Sequence, residues 1–220
     1  MTADKILDMA RSQIGIFEYP ANSNRVKYNT EYYGQEVSGS SYPWCCVFVW
    51  WVFRKCGASN LFFGGDKTAS CTTLMKWYRS VGKIVTTPKP GDIVFYQFDN
   101  DDYADHVGIV ESVDKDTITA IEGNTSESGS QSNGGQVLRK IRKKTLVMAY
   151  ARPGYEEDAS VPGTPGVYNT LEEVPSWSYH TIKMLVDRGL LKGDETGLNL
   201  SYDLIRTLVI LDRAGAFKEE

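Results

Sequence analysis

Ten consecutive residues, Trp44-Cys45-Cys46-Val47-Phe48-Val49-Trp50-Trp51-Val52-Phe53, carry only apolar or sulfur side chains. A run apolar on every side has to be buried on every side. It is far shorter than the roughly 18–20 residues that cross a bilayer, so its place is the centre of a folded domain. Pro43 and Trp44 precede its two cysteines, and Arg54-Lys55-Cys56-Gly57 follows it. Basic residues and then glycine mark a helix end, and the run reads as a buried helix. Its Val and Trp content leaves a strand open.

The surrounding chain has to supply the walls. Ile6, Leu7, Met9, Ala10 and Ile14 recur at helical spacing, which predicts an amphipathic helix over 3–14, capped by Thr2 or Asp4 and ended by Gly15. Residues 16–43 are rich in Tyr, Asn, Ser and Gly without a period, and read as a long ordered loop. Residues 68–81 place Leu74, Trp77, Tyr78 and Val81 on one helix face. Turn and strand signals then alternate: Pro88–Gly91, a strand to Phe98, a polar loop to Asp105, strands over 106–113 and 117–122, a Ser/Asn/Gly loop over 123–135, and one or two strands to Arg152. Helices followed by an antiparallel meander predict an α+β domain.

The charge changes sign along the chain. Residues 1–153 hold 18 Lys+Arg against 16 Asp+Glu, whereas residues 154–220 hold 6 against 12. With a net charge of −4 overall, the chain is not built to hold nucleic acid. Residues 154–167 are acidic and rich in Pro and Gly with no apolar stripe, and read as a linker. Residues 168–220 predict a small helical tail, with helices over 175–188 and 201–214. So short a tail is expected to dock on something: the first domain, a second copy or a target. No secretory signal or membrane span is visible, so synthesis in the cytoplasm is expected.

Chemistry-bearing residues concentrate in the first domain. Its only histidine is His106, at the start of a predicted strand. Cys45 opens the buried helix, where the positive end of the backbone dipole favours a thiolate. A cysteine and a histidine so placed are two halves of a nucleophile–base pair. A third group should fix the imidazole, and Glu122 or Asn124, at the far end of the next strand, can reach it by hairpin geometry. Cys46 and the remaining cysteines read as small packing residues. Cys45 is expected to be a free thiol.

These residues sit in stretches that resemble a known family. Trp44-Cys45-Cys46-Val47-Phe48-Val49-Trp50, Pro90-Gly91-Asp92-Ile93-Val94-Phe95, Asp105-His106-Val107-Gly108 and Ile121-Glu122-Gly123-Asn124 together resemble the CHAP domain, a group of papain-like cysteine, histidine-dependent amidohydrolases and peptidases. The resemblance covers roughly residues 1–153. It implies a papain-like fold, Cys45 as nucleophile, His106 as base, Glu122 as its orienting partner and Asn124 as a fourth polar member. Tyr42, Tyr28 and Asn24 stand as candidate oxyanion donors beside the Cys45 N–H.

The resemblance further implies a phage endolysin that cuts peptidoglycan after release to the wall. The bond is the one between muramic acid and L-alanine or one within the stem peptide or cross-bridge. The rival from another class is a catalytically inactive wall-binding module. The tail, from Trp177-Ser178-Tyr179-His180 to Ile205-Arg206-Thr207, resembles one S-layer-homology motif, with dimerisation or wall binding as its role. Such chemistry needs no cofactor. Relatives carry an Asp-x-Asp-x-Asp calcium run near Asp99–Asp105; here Gln97 stands where its first Asp would be, and calcium stays an open alternative.

Overall fold

In the computed structural model, residues 1–127, 134–155, 168–175, 177–195 and 197–217 are described. The chain divides into two compact units, Met1–Asp158 and Ala159–Glu220. The first is built around the apolar run. This forms helix α3 (Cys45–Lys55), in which every residue from Cys45 to Phe53 is buried. Before it come α1 (Ala3–Arg11) and α2 (Lys27–Tyr33), and after it α4 (Cys71–Ser80).

The sheet that receives α3 has six strands: β1 (Ile84–Val85), β2 (Ile93–Tyr96), β3 (His106–Val113), β4 (Thr117–Thr125), β5 (Gln136–Lys143) and β6 (Val147–Ala151). Their order is β1-β6-β2-β3-β4-β5, with every neighbouring pair antiparallel. The unit is the expected α+β fold, with helices packed on an antiparallel meander.

Alternation sorts the strands onto two faces. Ile93, Phe95, Val107, Ile109 and Ile121 join α3 in the main core. Val94, Tyr96, Val110, Ile118 and Ala120 form a second apolar layer on the opposite face. By the same alternation His106, Gly108 and Glu122 belong to that second face. Gly123 permits the closest approach of sheet and helix: a Cβ there would lie 2.6 Å from the Phe48 Cβ and 2.8 Å from the Trp44 ring.

The turn before β2 is fixed by charge. Asp92 is buried and accepts from the Lys89 N–H at 2.7 Å. The Arg152 guanidinium closes on both its oxygens at 2.9 and 2.8 Å, clamping β2 to the end of β6.

Some elements differ from expectation. Helix α1 stops at Arg11, short of Ile14, and the Thr2 side chain makes no cap bond. The presumed loop 16–43 contains α2, whose Tyr28 and Tyr32 are buried one helical turn apart and whose exit is Gly34 at φ 75°. Strand β4 runs on to Thr125, into the stretch expected as loop. The expected linker falls on residues 156–167, which lie outside the described residues, apart from Gly154 and Tyr155.

The second unit has its own small core of Val174, Ile182, Leu200 and Ile205. Its helices are α5 (Tyr179–Asp187) and α6 (Tyr202–Arg213). Ser201 caps α6 by accepting from the Leu204 N–H at 3.2 Å, and the Thr181 hydroxyl donates to Asp212 at 2.6 Å. Leu204, Ile210 and Leu211 of α6 remain exposed. No helix among the described residues is long and apolar enough to cross a membrane.

Candidate active site

Cys45 is the first residue of α3, and Trp44 is its N-cap. Trp44 offers no capping side chain, so the preceding loop does the holding. The Trp44 indole N–H donates to the buried Glu18 carboxylate at 3.4 Å, and the same oxygen accepts the Asn24 N–H at 2.8 Å. The Asn29 amide donates to the carbonyls of Asn24 and Tyr42 at 2.8 and 2.9 Å. The long polar loop is thus tied to the residues just before the thiol. Two of the candidate oxyanion donors serve this scaffold instead: the Tyr28 hydroxyl donates to Gln13 and the Asn24 amide to the Gly39 carbonyl.

His106 and Glu122 meet across β3 and β4. With Ile109 opposite Ile121, the antiparallel register puts Glu122 beside Gly108, two residues from His106 on the same face. A Cβ on Gly108 would lie 2.8 Å from the Glu122 Cγ. Glycine therefore clears the path along which the carboxylate reaches the imidazole. The His106 Nε2 lies 3.0 Å from Glu122 Oε2, and both side chains are buried.

Asn124 is buried as well. It adopts a left-handed backbone at φ 54°, and its Oδ1 has no hydrogen-bond partner among the described residues. The Nε2 position is held by Glu122 rather than by Asn124.

The electrostatics follow from burial and pairing. Burial disfavours charge on His106, but the Glu122 carboxylate and the neighbouring Cys45 thiol outweigh it and raise its pKa to about 9. Burial pushes Glu122 the other way, toward neutrality. His106 and Arg142 overcome that and hold its pKa below the ordinary carboxylate value. The Cys45 thiol lies well above its usual range, through its contact with Cys71 and then burial, while His106 pulls it back. The helix start alone would favour the thiolate; the second thiol and the lack of water reverse that.

Four neighbours escaped the sequence reading. Arg142, on β5, donates from Nε to Glu122 Oε1 at 2.8 Å and from Nη2 to Oε2 at 2.6 Å. Tyr96 stacks beside the His106 ring with centroids 6.2 Å apart, and Phe98 lies tilted to it at 6.3 Å. Cys71, the first residue of α4, places its Sγ 3.5 Å from that of Cys45. Cys46 instead points its thiol to the Thr68 carbonyl at 3.3 Å, a packing role. All four cysteines are free.

Asp99, Asp101 and Asp105 bring carboxylate oxygens within 4.8 Å of one another. Asp101 accepts the Tyr103 N–H at 2.7 Å and Asp105 the Phe98 N–H at 2.6 Å, so both already shape the turn. No metal role is assigned to them.

The contact between Cys45 and Cys71 has a direct consequence. Mild oxidation with diamide should join Cys45 to Cys71, and peptide mapping should find that cross-link rather than one from Cys45 to Cys46. A Cys45–Cys46 or Cys45–Cys56 cross-link would contradict the arrangement.

No curated protein matches the chain. Similar solved structures include Ly7917, at 20% identity over 70% of this chain and 63% of that chain with a TM-score of 0.42. The same protein with "the hydrolyzing product of MDP" matches at 18% identity over 70% and 63%, with a TM-score of 0.43. A wild type endolysin, LysIME-EF1, matches at 13% identity over 90% of this chain and 89% of that one, with a TM-score of 0.42. The chain therefore spans 63% of the length of Ly7917. Residues 37–124, the segment that carries Cys45, His106, Glu122 and Asn124, match the CHAP domain.

Proposed function

We propose that this chain is an endolysin-type peptidoglycan hydrolase that cuts an amide bond with Cys45 as nucleophile, as an N-acetylmuramoyl-L-alanine amidase. The observation that carries the reading is the buried His106–Glu122 pair, at 3.0 Å, coupled to a thiol at a helix start. That constellation lies within the segment matching the CHAP domain. An inactive wall-binding module would have no use for an ionised carboxylate buried against a histidine.

In this reading the reaction proceeds in two halves. His106 takes the Cys45 proton, and the thiolate adds to the carbonyl carbon. The oxyanion sits at the start of α3, where the first backbone N–H groups have no helical partner. The intermediate collapses with cleavage of the C–N bond, and His106 passes its proton to the leaving amine. Water then attacks the thioester, gives a proton to His106 and releases a carboxylic acid, and the proton returns to the thiol. Glu122 keeps the imidazole oriented throughout, as the acidic member of such triads does. Asn124 serves as a fourth polar member near the same strand end. No step runs through a cofactor or a calcium ion.

The protein is made in the cytoplasm and reaches the wall on release. Its second unit pairs two chains, because Leu204, Ile210 and Leu211 of α6 are exposed and a two-fold interface needs only one self-complementary surface.

Two experiments test this reading. Cys45→Ala should lower lysis of purified walls by about 1,000-fold or more without loss of fold, while Cys46→Ala should keep most of it. Mass spectrometry of the released fragments should then find new L-alanine amino termini and intact glycan lactyl acids. Equal losses from both variants would refute the assignment of the nucleophile, and new termini inside the stem or cross-bridge would make the enzyme an endopeptidase. Separately, light scattering should give the mass of a dimer for the full chain, and a monomer would reject pairing through the tail.

A further inference from the structure

We propose that Arg142 is a positioning residue for this site: its two-pronged grip holds the Glu122 carboxylate in one orientation and keeps it charged through every state of His106. The inference rests on the reading of His106 as the base, and it extends that reading to a residue in none of the four resembling stretches.

The geometry is specific. The Glu122 carboxylate is fully buried, so it has no water to satisfy it. One oxygen, Oε1, accepts from Arg142 Nε at 2.8 Å. The other, Oε2, is shared between Arg142 Nη2 at 2.6 Å and His106 Nε2 at 3.0 Å. Two parallel bonds to a planar fork leave the carboxylate no free rotation. The only oxygen lone pairs offered to the imidazole are therefore the ones the fork aims at it.

The guanidinium is itself held in place. It lies 5.0 Å from the Tyr96 ring and 5.2 Å from the Phe98 ring, and Nη2 also reaches Thr125 Oγ1 at 3.4 Å. Tyr96 and Phe98 are the same two rings that flank His106, one stacked and one tilted. One pair of aromatics therefore fixes both partners of Glu122, the permanent cation and the one that comes and goes.

That difference gives Arg142 its role. A histidine base is charged in some steps of the cycle and neutral in others. Whenever it is neutral, a buried carboxylate with no second cation would take up a proton or turn away. It would then stop accepting from Nε2, and the ring would be free to change tautomer. A guanidinium does not lose its proton, so its charge is constant through the cycle. Among the described residues, Glu122 from β4 and Cys45 from α3 act on the imidazole and Tyr96 from β2 stacks on it, while Arg142 from β5 lies behind Glu122 and Cys71 of α4 behind Cys45. Among these, Arg142 is the group that supplies a fixed positive charge.

The test is spectroscopic and does not depend on any activity. The chain has two histidines, and His180 is exposed, so 15N-histidine labelling isolates His106. In the full-length protein at one fixed pH, the Nε2–H bonded to Glu122 should give a far-downfield, slowly exchanging proton signal, with nitrogen shifts of a single tautomer. In Arg142→Gln the signal should vanish or broaden and the tautomers should mix. In Arg142→Lys, which keeps the charge but not the fork, it should persist with a changed shift. Wall-lysis kinetics should follow, with kcat down by at least about 10-fold in Arg142→Gln, intermediate in Arg142→Lys, and KM nearly constant. Should Arg142→Gln fail to fold, the Arg142→Lys signal carries the test. An unchanged His106 signal in either folded variant would overturn the proposal. A changed signal in a protein that cleaves no wall would leave the Arg142 assignment standing and refute the hydrolase reading instead.

Discussion

A carboxylate without access to water is the constraint around which the first unit is arranged. Moving a lone carboxylate into a protein interior costs roughly several kcal/mol even after relaxation. Glu122 is fully buried, and it stays charged because His106 and Arg142 approach it from two neighbouring strands. This requires β3, β4 and β5 to hold their register, since slipping any strand by one residue would turn its partner to the other face. It also requires Gly108, because any side chain there would stand where the Glu122 stem passes. Helix α3 in turn fixes β4 through the close approach at Gly123. The apolar run that fills the core and the buried charges of the candidate site are thus bound to one another through two glycines.

The thiol is held under different conditions. Cys45 is buried beside Cys71, and both features oppose ionisation. His106, by contrast, holds its proton more firmly than a free imidazole would. Both groups are thus biased toward their protonated forms, and in the proposed reaction the transfer from Cys45 starts from the form in which the imidazole is neutral. A thiol held protonated in this way reacts slowly with electrophiles and oxidants, because it is the thiolate that attacks them. The loop bonds through Glu18, Asn24 and Asn29 complete the placement by holding Trp44 and Tyr42 immediately before Cys45.

Much of this was legible in the sequence because it is local. The helix at Cys45 follows from ten uncharged residues and their flanks, and the meander follows from alternation and turn residues. The nearness of Glu122 to His106 follows from hairpin register alone, which also explains why Asn124 stood as an equal candidate: two residues separate them on the same face. What was hidden depends on contacts distant in sequence. Helix α2 lacks a capping side chain and mixes Lys27 and Glu31 with Tyr, Asn and Thr, so its two buried tyrosines did not stand out. Alternation on β5 would bury Ile141 and expose Arg142, yet Ile141 is 71% exposed and Arg142 buried. The register decides it: Arg142 stands opposite Ile118, on the face of the sheet that carries Glu122. Cys71 read as one more small apolar residue, since nothing local places α4 against the start of α3.

The central claim is that Cys45, and no other group, forms the covalent bond to the substrate. Trapping that bond tests it most directly: the full-length protein is mixed with soluble peptidoglycan fragments, quenched in acid within the first turnovers, digested and mapped by mass spectrometry. The account predicts a thioester on the peptide carrying Cys45, bearing the muramoyl lactyl acyl group, and none on Cys46, Cys56 or Cys71. An acyl group on another residue, or product formation with unmodified Cys45 at every quench time and incorporation of solvent oxygen in a single step, would contradict it.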